Sequence, residues 1–338
     1  MARLTLTMIS APNDRTRPLT EGEVVPEGFD IIHTNSDPSE TFWRQLHFGE
    51  FDISEMSISS YLAAKEAGAD MWMIPAFPSR RFFHTALSYH ADSGIKQPSD
   101  VAGKRLGVGE YQQTASLWLR GTLEHDFDVS QYSVEWWMER SEELSHGGAT
   151  GFTPPDGIKF NRIPEEESLA TMLLTNKLDV AGVGRAQSPE WNLIDRSTWI
   201  RPPANADWGK IKPLFPDLIE EGTRYFKAHG FIPANHGYAI QGSVLEKHPW
   251  VAFNFYKALL ESKDLSKKRL NSSLSSWLIF GPQYLRNTQR IFGEDPFAYG
   301  VKDNRDMLQT AIDYSFEQGL TKKKAVLEEL IHPALRDF

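Results

Sequence analysis

The sequence predicts an α/β protein of two domains, in which the chain leaves the first domain, builds the second and returns. Three observations predict it. Short apolar segments of strand length alternate with helix-like stretches. At 338 residues the chain exceeds the usual size of a single hydrophobic core. A strand-like segment, His236 to Ile240, appears late, after a run of strand–helix units that would form a separate sheet.

Leu4 to Ile9 reads as the first strand, and Phe29 to His33 as the second, after the turn Pro26-Glu27-Gly28. A helix is expected over Thr41 to Phe48, ended by Gly49. Phe51 to Met56 is a short strand, and Ser57 caps a helix that stops near Gly68. Met71 to Ala76 is a strand broken by Pro75 and Pro78. Gly94 to Gly103 is a loop with a helical turn at Pro98. Lys104 to Gly109 is a strand, joined through Glu110 to Thr114 to a helix over Ala115 to Leu123. The unit recurs as strand Lys159 to Ile163, helix Ser168 to Leu174 and strand Asp179 to Val183. After His236 to Ile240, Ser243 and Glu246 have capping-box spacing before a helix through Trp250 to Leu260, and Asp303 to Leu330 reads as helical. The expected division is residues 1–100 plus 236–338 for one lobe and 101–235 for the inserted one. The cleft then lies at the two crossings, outside the carboxyl ends of the strands.

Composition bounds the function. With 45 acidic against 36 basic residues the net charge is −9, which argues against binding a nucleic-acid backbone. A local basic pocket for a small anion stays open. The absence of cysteine excludes disulfides, thiolate catalysis and cysteine metal sites. No HExxH, P-loop or GxSxG stretch occurs and the ten histidines are scattered, so no metal site is expected and the covalent-hydrolase and kinase readings drop out. No apolar run is long enough to span a bilayer. Met1-Ala2-Arg3 leads directly into a strand without a signal-like segment, so a cytoplasmic location is expected.

Several positions could carry chemistry. Gly107-Val108-Gly109 lacks the third glycine of a dinucleotide fingerprint, but the N–H groups around Gln113 to Ala115 open a helix that could hold a carboxylate. An ordinary strand–helix turn explains them equally. Ser57, Ser59 and Ser60 offer hydroxyls at another helix start, where simple capping is the plainer reading. Arg80 and Arg81 are adjacent in an extended segment, so one of them should face the cleft. His84 follows them. His236 stands at the second crossing, and Arg120 and Arg185 could add positive charge.

At these residues the sequence resembles the 4,5-dihydroxyphthalate decarboxylase family. The stretches that carry the resemblance are Glu50 to Ser57, Ser60-Tyr61-Leu62, Ile74-Pro75-Ala76-Phe77-Pro78-Ser79-Arg80, Gly103 to Val108, and Glu110-Tyr111-Gln112 with Thr114-Ala115. Trp118, Arg120-Gly121, His248-Pro249-Trp250, Gly293-Glu294-Asp295 and Glu317 to Leu320 extend it along nearly the whole chain. Two positions depart from the expected pattern: Gly184 precedes Arg185 where a proline is expected, and Asn235 precedes His236 where a methionine is expected.

The resemblance implies a two-lobed, type II periplasmic-binding-protein-like fold and a cofactor-free decarboxylation of a hydroxylated aromatic acid. It implies His236 and His84 as proton donors, with Glu55 or Tyr111 orienting a phenol. Ser57, Ser79, Arg80, Tyr111, Gln112, Thr114, Arg120 and Arg185 would form the substrate pocket. Arg80 is preferred to Arg81 because it belongs to the resembling stretch. The expected partner is a small aromatic acid, with no nucleic acid or membrane, and a homo-oligomer stays open. The rival reading is a solute-binding protein for an aromatic or sulfonate-like anion, feeding a transporter or sensor, since fold alone does not fix function.

Overall fold

The computed structural model describes residues 3–182, 200 and 202–338. In chain order its strands are β1 (Leu4–Ser10), β2 (Phe29–Asn35), β3 (Ile53–Ser57), β4 (Met71–Arg80), β5 (Ser88–His90) and β6 (Arg105–Val108). Then follow β7 (Glu135–Met138), β8 (Lys159–Arg162), β9 (Val180–Ala181), β10 (Ile211–Pro213) and β11 (Ala234–Gln241). They form two sheets, of order β2-β1-β3-β11-β4 and β10-β5-β9-β6-β7-β8. This is the two-lobed α/β architecture that the alternation predicts, with an apolar core running through both sheets.

In the first sheet β1 pairs in parallel with β2 and β3, while β11 returns antiparallel between β3 and β4. Local chemistry sets the helix limits. Asp37 caps the helix Pro38–Phe48, its Oδ1 accepting from the Ser39 N–H at 2.9 Å, with Pro38 in the first turn where no donor is needed. Gly49 ends that helix at φ +55, a left-handed conformation that glycine adopts without strain. Ser57 caps the helix Ile58–Glu66 as expected.

The second sheet is parallel through β9, β6, β7 and β8, with β5 and β10 antiparallel at one edge. Its central strand packs tightly. A Cβ on Gly107 would stand 2.4 Å from Leu169 Cδ2 and 2.6 Å from Leu178 Cδ1, so only hydrogen fits there. The buried Trp118, on the helix Thr114–Phe127, donates from its indole to the Ala234 carbonyl at 2.7 Å and ties this lobe to the start of β11.

Four expectations change. The first crossing comes before residue 100: β5 already pairs with β9 and β10, so the chain enters the second sheet between Arg80 and Ser88. A three-residue strand is too short to show a periodicity. β4 does not end at Ala76 but continues to Arg80, tolerable because it is an edge strand whose missing N–H groups leave no central ladder open. The helix from Trp250 runs on to Trp277. The C-terminal helical stretch is interrupted: Arg305–Glu317 ends before Gly319 at φ +70, and a short helix resumes at Leu327–Leu330. Among the described residues no helix is long and apolar enough to cross a membrane.

Candidate active site

The ends of β3, β11 and β4 meet at one row of side chains. His236 on β11 stands opposite Ser57 on β3 and Ser79 on β4. Glu55 lies two residues before Ser57 on the same face, diagonal to His236 and within reach of it. The register therefore builds a dyad: His236 Nδ1 lies 2.6 Å from Glu55 Oε1. The Ala11 N–H donates to the other carboxylate oxygen at 2.9 Å and fixes the rotamer. An ionised Glu55 makes Nδ1 the protonated nitrogen and leaves Nε2 facing outward. Nε2 lies 2.6 Å from Asn235 Nδ2, and the Phe42 ring closes on the imidazole edge-on at 4.7 Å.

Asn235 and His236 both reach the same cleft although they are consecutive. Strand alternation forbids this, and a bulge permits it. Ala234 pairs with Arg80 and His236 with Ser79, leaving Asn235 as an extra residue on β11. On β4 the stretch Pro75 to Pro78 is itself bulged, facing Gly237 alone.

The cleft encloses about 550 Å³ and is lined from both sheets. Three helices begin on it, at Pro38, Ile58 and Thr114, so their dipoles favour an anion. The two lobes are bonded across the gap. Ser57 Oγ lies 2.8 Å from Thr114 Oγ1, and the Ser59 N–H donates to Thr114 Oγ1 at 3.0 Å. Arg140, from the loop after β7, donates to Ser39 Oγ at 2.7 Å and to Glu110 Oε2 at 2.8 Å. His146 Nδ1 lies 3.6 Å from the same Glu110 oxygen, and its ring also packs edge-on against Phe42, at 5.4 Å. Burial pushes the Glu110 carboxyl upward, but the adjacent His146 and Arg140 charges outweigh it and hold the group below its ordinary value.

Among the sequence-predicted residues, Ser57, Ser79, Thr114 and His236 line this cleft, and Glu55 stands directly behind His236. The others lie elsewhere. Arg80 is turned away: its guanidinium donates to the Ile232 and Ala298 carbonyls and to Asn304 Oδ1. Arg81 lines the cleft instead, two residues on from Ser79 on the same side of the chain, so one of the pair does face inward, but not the one the resembling stretch favours. Tyr111 is buried with its hydroxyl donating to Gln131 at 2.9 Å, and Arg120 stacks on its ring at 3.8 Å while donating to Gln318. Burial pulls the Arg80 and Arg120 guanidiniums down to about 10. Gln112 accepts from Thr150 behind the wall. His84 is buried at 2.7 Å from Glu221 and stacked on Tyr225. Arg185 lies outside the described residues.

Phe42, Arg140 and His146 escaped the sequence reading as cleft groups, whereas Asn235 was expected at a pocket wall without a role. Asn235 had one signal, its departure from the expected methionine. Arg140 and His146 had only their position after a strand, in a segment with no motif. Among the described residues, no three histidine, aspartate or glutamate side chains stand together so as to hold a metal ion.

No family model matches the chain. It is 31% identical over 337 residues to a 4,5-dihydroxyphthalate decarboxylase of Comamonas testosteroni, covering 99% of this chain and 98% of that one. It is 37% identical over 189 residues to a 4,5-dihydroxyphthalate decarboxylase of Pseudomonas putida, covering 56% of this chain and 73% of that one. Among solved structures, the periplasmic aliphatic sulphonate binding protein SsuA of Escherichia coli superposes with a TM-score of 0.54 over the whole of both chains, at 13% identity, a likeness of fold.

Proposed function

The chain belongs to the 4,5-dihydroxyphthalate decarboxylase family, and from that premise we propose that its cleft removes a carboxylate from a hydroxylated aromatic acid such as 4,5-dihydroxyphthalate, giving protocatechuate and CO2. The observation that carries the chemistry is the Glu55–His236 dyad at 2.6 Å, with one imidazole nitrogen turned to the cleft.

Direct loss of CO2 from an aromatic ring would leave an unstabilised aryl anion. A ring hydroxyl opens another route. The protonated His236 donates its Nε2 proton to the carbon that carries the departing carboxylate. Positive charge then spreads to the hydroxyl oxygen para to that carbon. The carbon–carboxylate bond breaks, its electron pair returns to the ring, CO2 leaves and aromaticity is restored with the hydroxyl intact. One proton is consumed and one CO2 is released. Glu55 holds the imidazole in the needed orientation and stabilises its charged form. The three helix starts, with Arg81 and the buried Arg140 in the lining, supply the positive field for the substrate's carboxylates. The apolar Phe42, Leu119 and Val108 exclude water from the ring.

Purified protein incubated with 4,5-dihydroxyphthalate in D2O is expected to release one CO2 per product molecule and to place one deuterium on the vacated carbon. Tight binding of hydroxyphthalates and hydroxybenzoates without any CO2 release would overturn the enzyme reading in favour of an anion receptor.

A further inference from the structure

The cleft lining is rich in donors, as an anion requires: serine and threonine hydroxyls and guanidiniums, with the Asp37 carboxylate engaged by the Ser39 N–H of the helix it caps. Asn235 breaks the pattern. Its Nδ2 is committed to His236 Nε2 at 2.6 Å, and its Oδ1 is buried without a hydrogen-bond partner among the described residues. It reaches the cleft because it is the unpaired residue of the β11 bulge, a device that aims a side chain where regular pairing would not. A buried acceptor left unpaired is costly, so its presence calls for a donor supplied from outside. A carboxylate has no proton to offer. A phenolic hydroxyl has one.

We propose that Asn235 is the specificity-determining residue that recognises the ring hydroxyl, its Oδ1 accepting the phenolic O–H of the bound acid. This deepens the decarboxylase reading and rests on it. When the ring carbon takes its proton, the hydroxyl oxygen gains positive charge and becomes a stronger donor. The bond to Asn235 therefore tightens in the transition state more than in the ground state, and raises kcat as well as affinity. Turning the carboxamide to meet the hydroxyl also draws its N–H off His236 Nε2, so that nitrogen is freed to take up the proton it then donates.

The test compares phthalate, 4-hydroxyphthalate and 4,5-dihydroxyphthalate on the intact protein and on Asn235→Leu, Asn235→Asp and Asn235→Ser, by calorimetric affinity and by CO2 release, with thermal melts as a folding control. The unaltered protein should bind the hydroxylated ligands about tenfold more tightly than phthalate, as one net hydrogen bond implies. Asn235→Leu removes the acceptor at nearly constant size. It should reduce that preference to about twofold while phthalate affinity changes little. Its kcat on 4,5-dihydroxyphthalate should fall further than KM rises. Asn235→Asp keeps an acceptor, so all affinities drop through charge repulsion while the preference for hydroxyl survives. A purely structural role would depress every ligand equally, and an unchanged preference in Asn235→Leu overturns the proposal. If Asn235→Leu does not fold, Asn235→Ser, whose side chain is too short to reach, carries the same comparison. Absence of CO2 release by the unaltered protein would instead sink the decarboxylase reading, so the two failures are distinct.

Discussion

Glu55→Gln isolates the role of the dyad with the least disturbance. The carboxylate is 3% exposed and serves two donors, the Ala11 N–H at 2.9 Å and His236 Nδ1 at 2.6 Å. A carboxamide has one acceptor oxygen for these two positions. The Ala11 N–H must have it, because a backbone donor facing an amide NH2 is unpaired and buried. The NH2 group then faces Nδ1, which can meet it only as an acceptor, so the ring loses its outward-facing charged form. Loss of one charge-assisted hydrogen bond of about 2–3 kcal/mol corresponds to a rate loss of about 30- to 150-fold. Because Glu55 stands behind His236 rather than on the cleft wall, KM should move by less than about threefold, the mark of an interaction made in the transition state. Steady-state CO2 release, with substrate affinity measured separately by calorimetry, reads both quantities. A Glu55→Gln protein with unchanged melting temperature and kcat within about threefold of the parent would refute the dyad and send the search for the donor elsewhere.

Arg81→Ala should weaken binding of the aromatic acid about tenfold by removing a guanidinium from the cleft rim. Arg80→Ala should leave binding by the folded protein nearly intact but destabilise it by about 3 kcal/mol, seen as a lower denaturant midpoint, since it strips buried bonds from the Ile232 and Ala298 carbonyls. His84 gives a pH signature. Its burial lowers the pKa below the ordinary 6.5, and the neighbouring Glu221 offsets this only in part. The unfolded chain therefore binds a proton there more readily than the native one. Stability should be fully present above about pH 6.5 and decline as pH falls through the native-state value. The Tm of His84→Gln should lose that part of its pH slope, whereas the depressed Glu221 acts only lower, below about 4.5.

Much of the fold was legible because it rests on local chemistry. Ser57 is a cap and Gly49 a left-handed stop in any context, and the strand–helix alternation exposes two sheets. The candidate site was legible by halves. His236 was placed at the second crossing from strand order, and its partner Glu55 came from the resemblance to the decarboxylases. Their contact depends on the β3–β11 register, which no local pattern reveals. The arginine pair shows what parity can and cannot do. Ser79 and Arg81 line the cleft while Arg80 between them turns away, as alternation requires, but alternation alone does not say which of the two arginines faces inward, and the resembling stretch pointed to the wrong one. Arg120 and His84 failed differently. Both are polar residues that the core satisfies with its own acceptors, Gln318 and the Tyr111 carbonyl for one, Glu221 for the other. From sequence such residues look identical to ligand anchors. Arg140 and His146 depend on contacts to Ser39 and Phe42 about a hundred residues away, beyond any window of periodicity.

The same fold serves a sulphonate receptor elsewhere, so the difference between receptor and enzyme must lie in side chains. A receptor for an anion needs donors, and each acceptor facing its ligand costs affinity. Beside the helix-capping Asp37, this site carries two further groups that add nothing to holding an anion: a buried carboxylate locked onto a histidine, and a carboxamide oxygen without a partner among the described residues. Glu55 supports a proton on the ring nitrogen that faces the substrate. Asn235 answers a hydroxyl that carboxylate binding alone would ignore. Protonating a ring carbon needs a supported acid on one side and a hydroxyl able to take up charge on the other, and these two side chains meet those requirements from either side of one imidazole. In a receptor Glu55→Gln should leave anion affinity as high or higher, with nothing else to lose. In a decarboxylase it should leave affinity and abolish most of the turnover, so a single substitution separates the two uses of the fold.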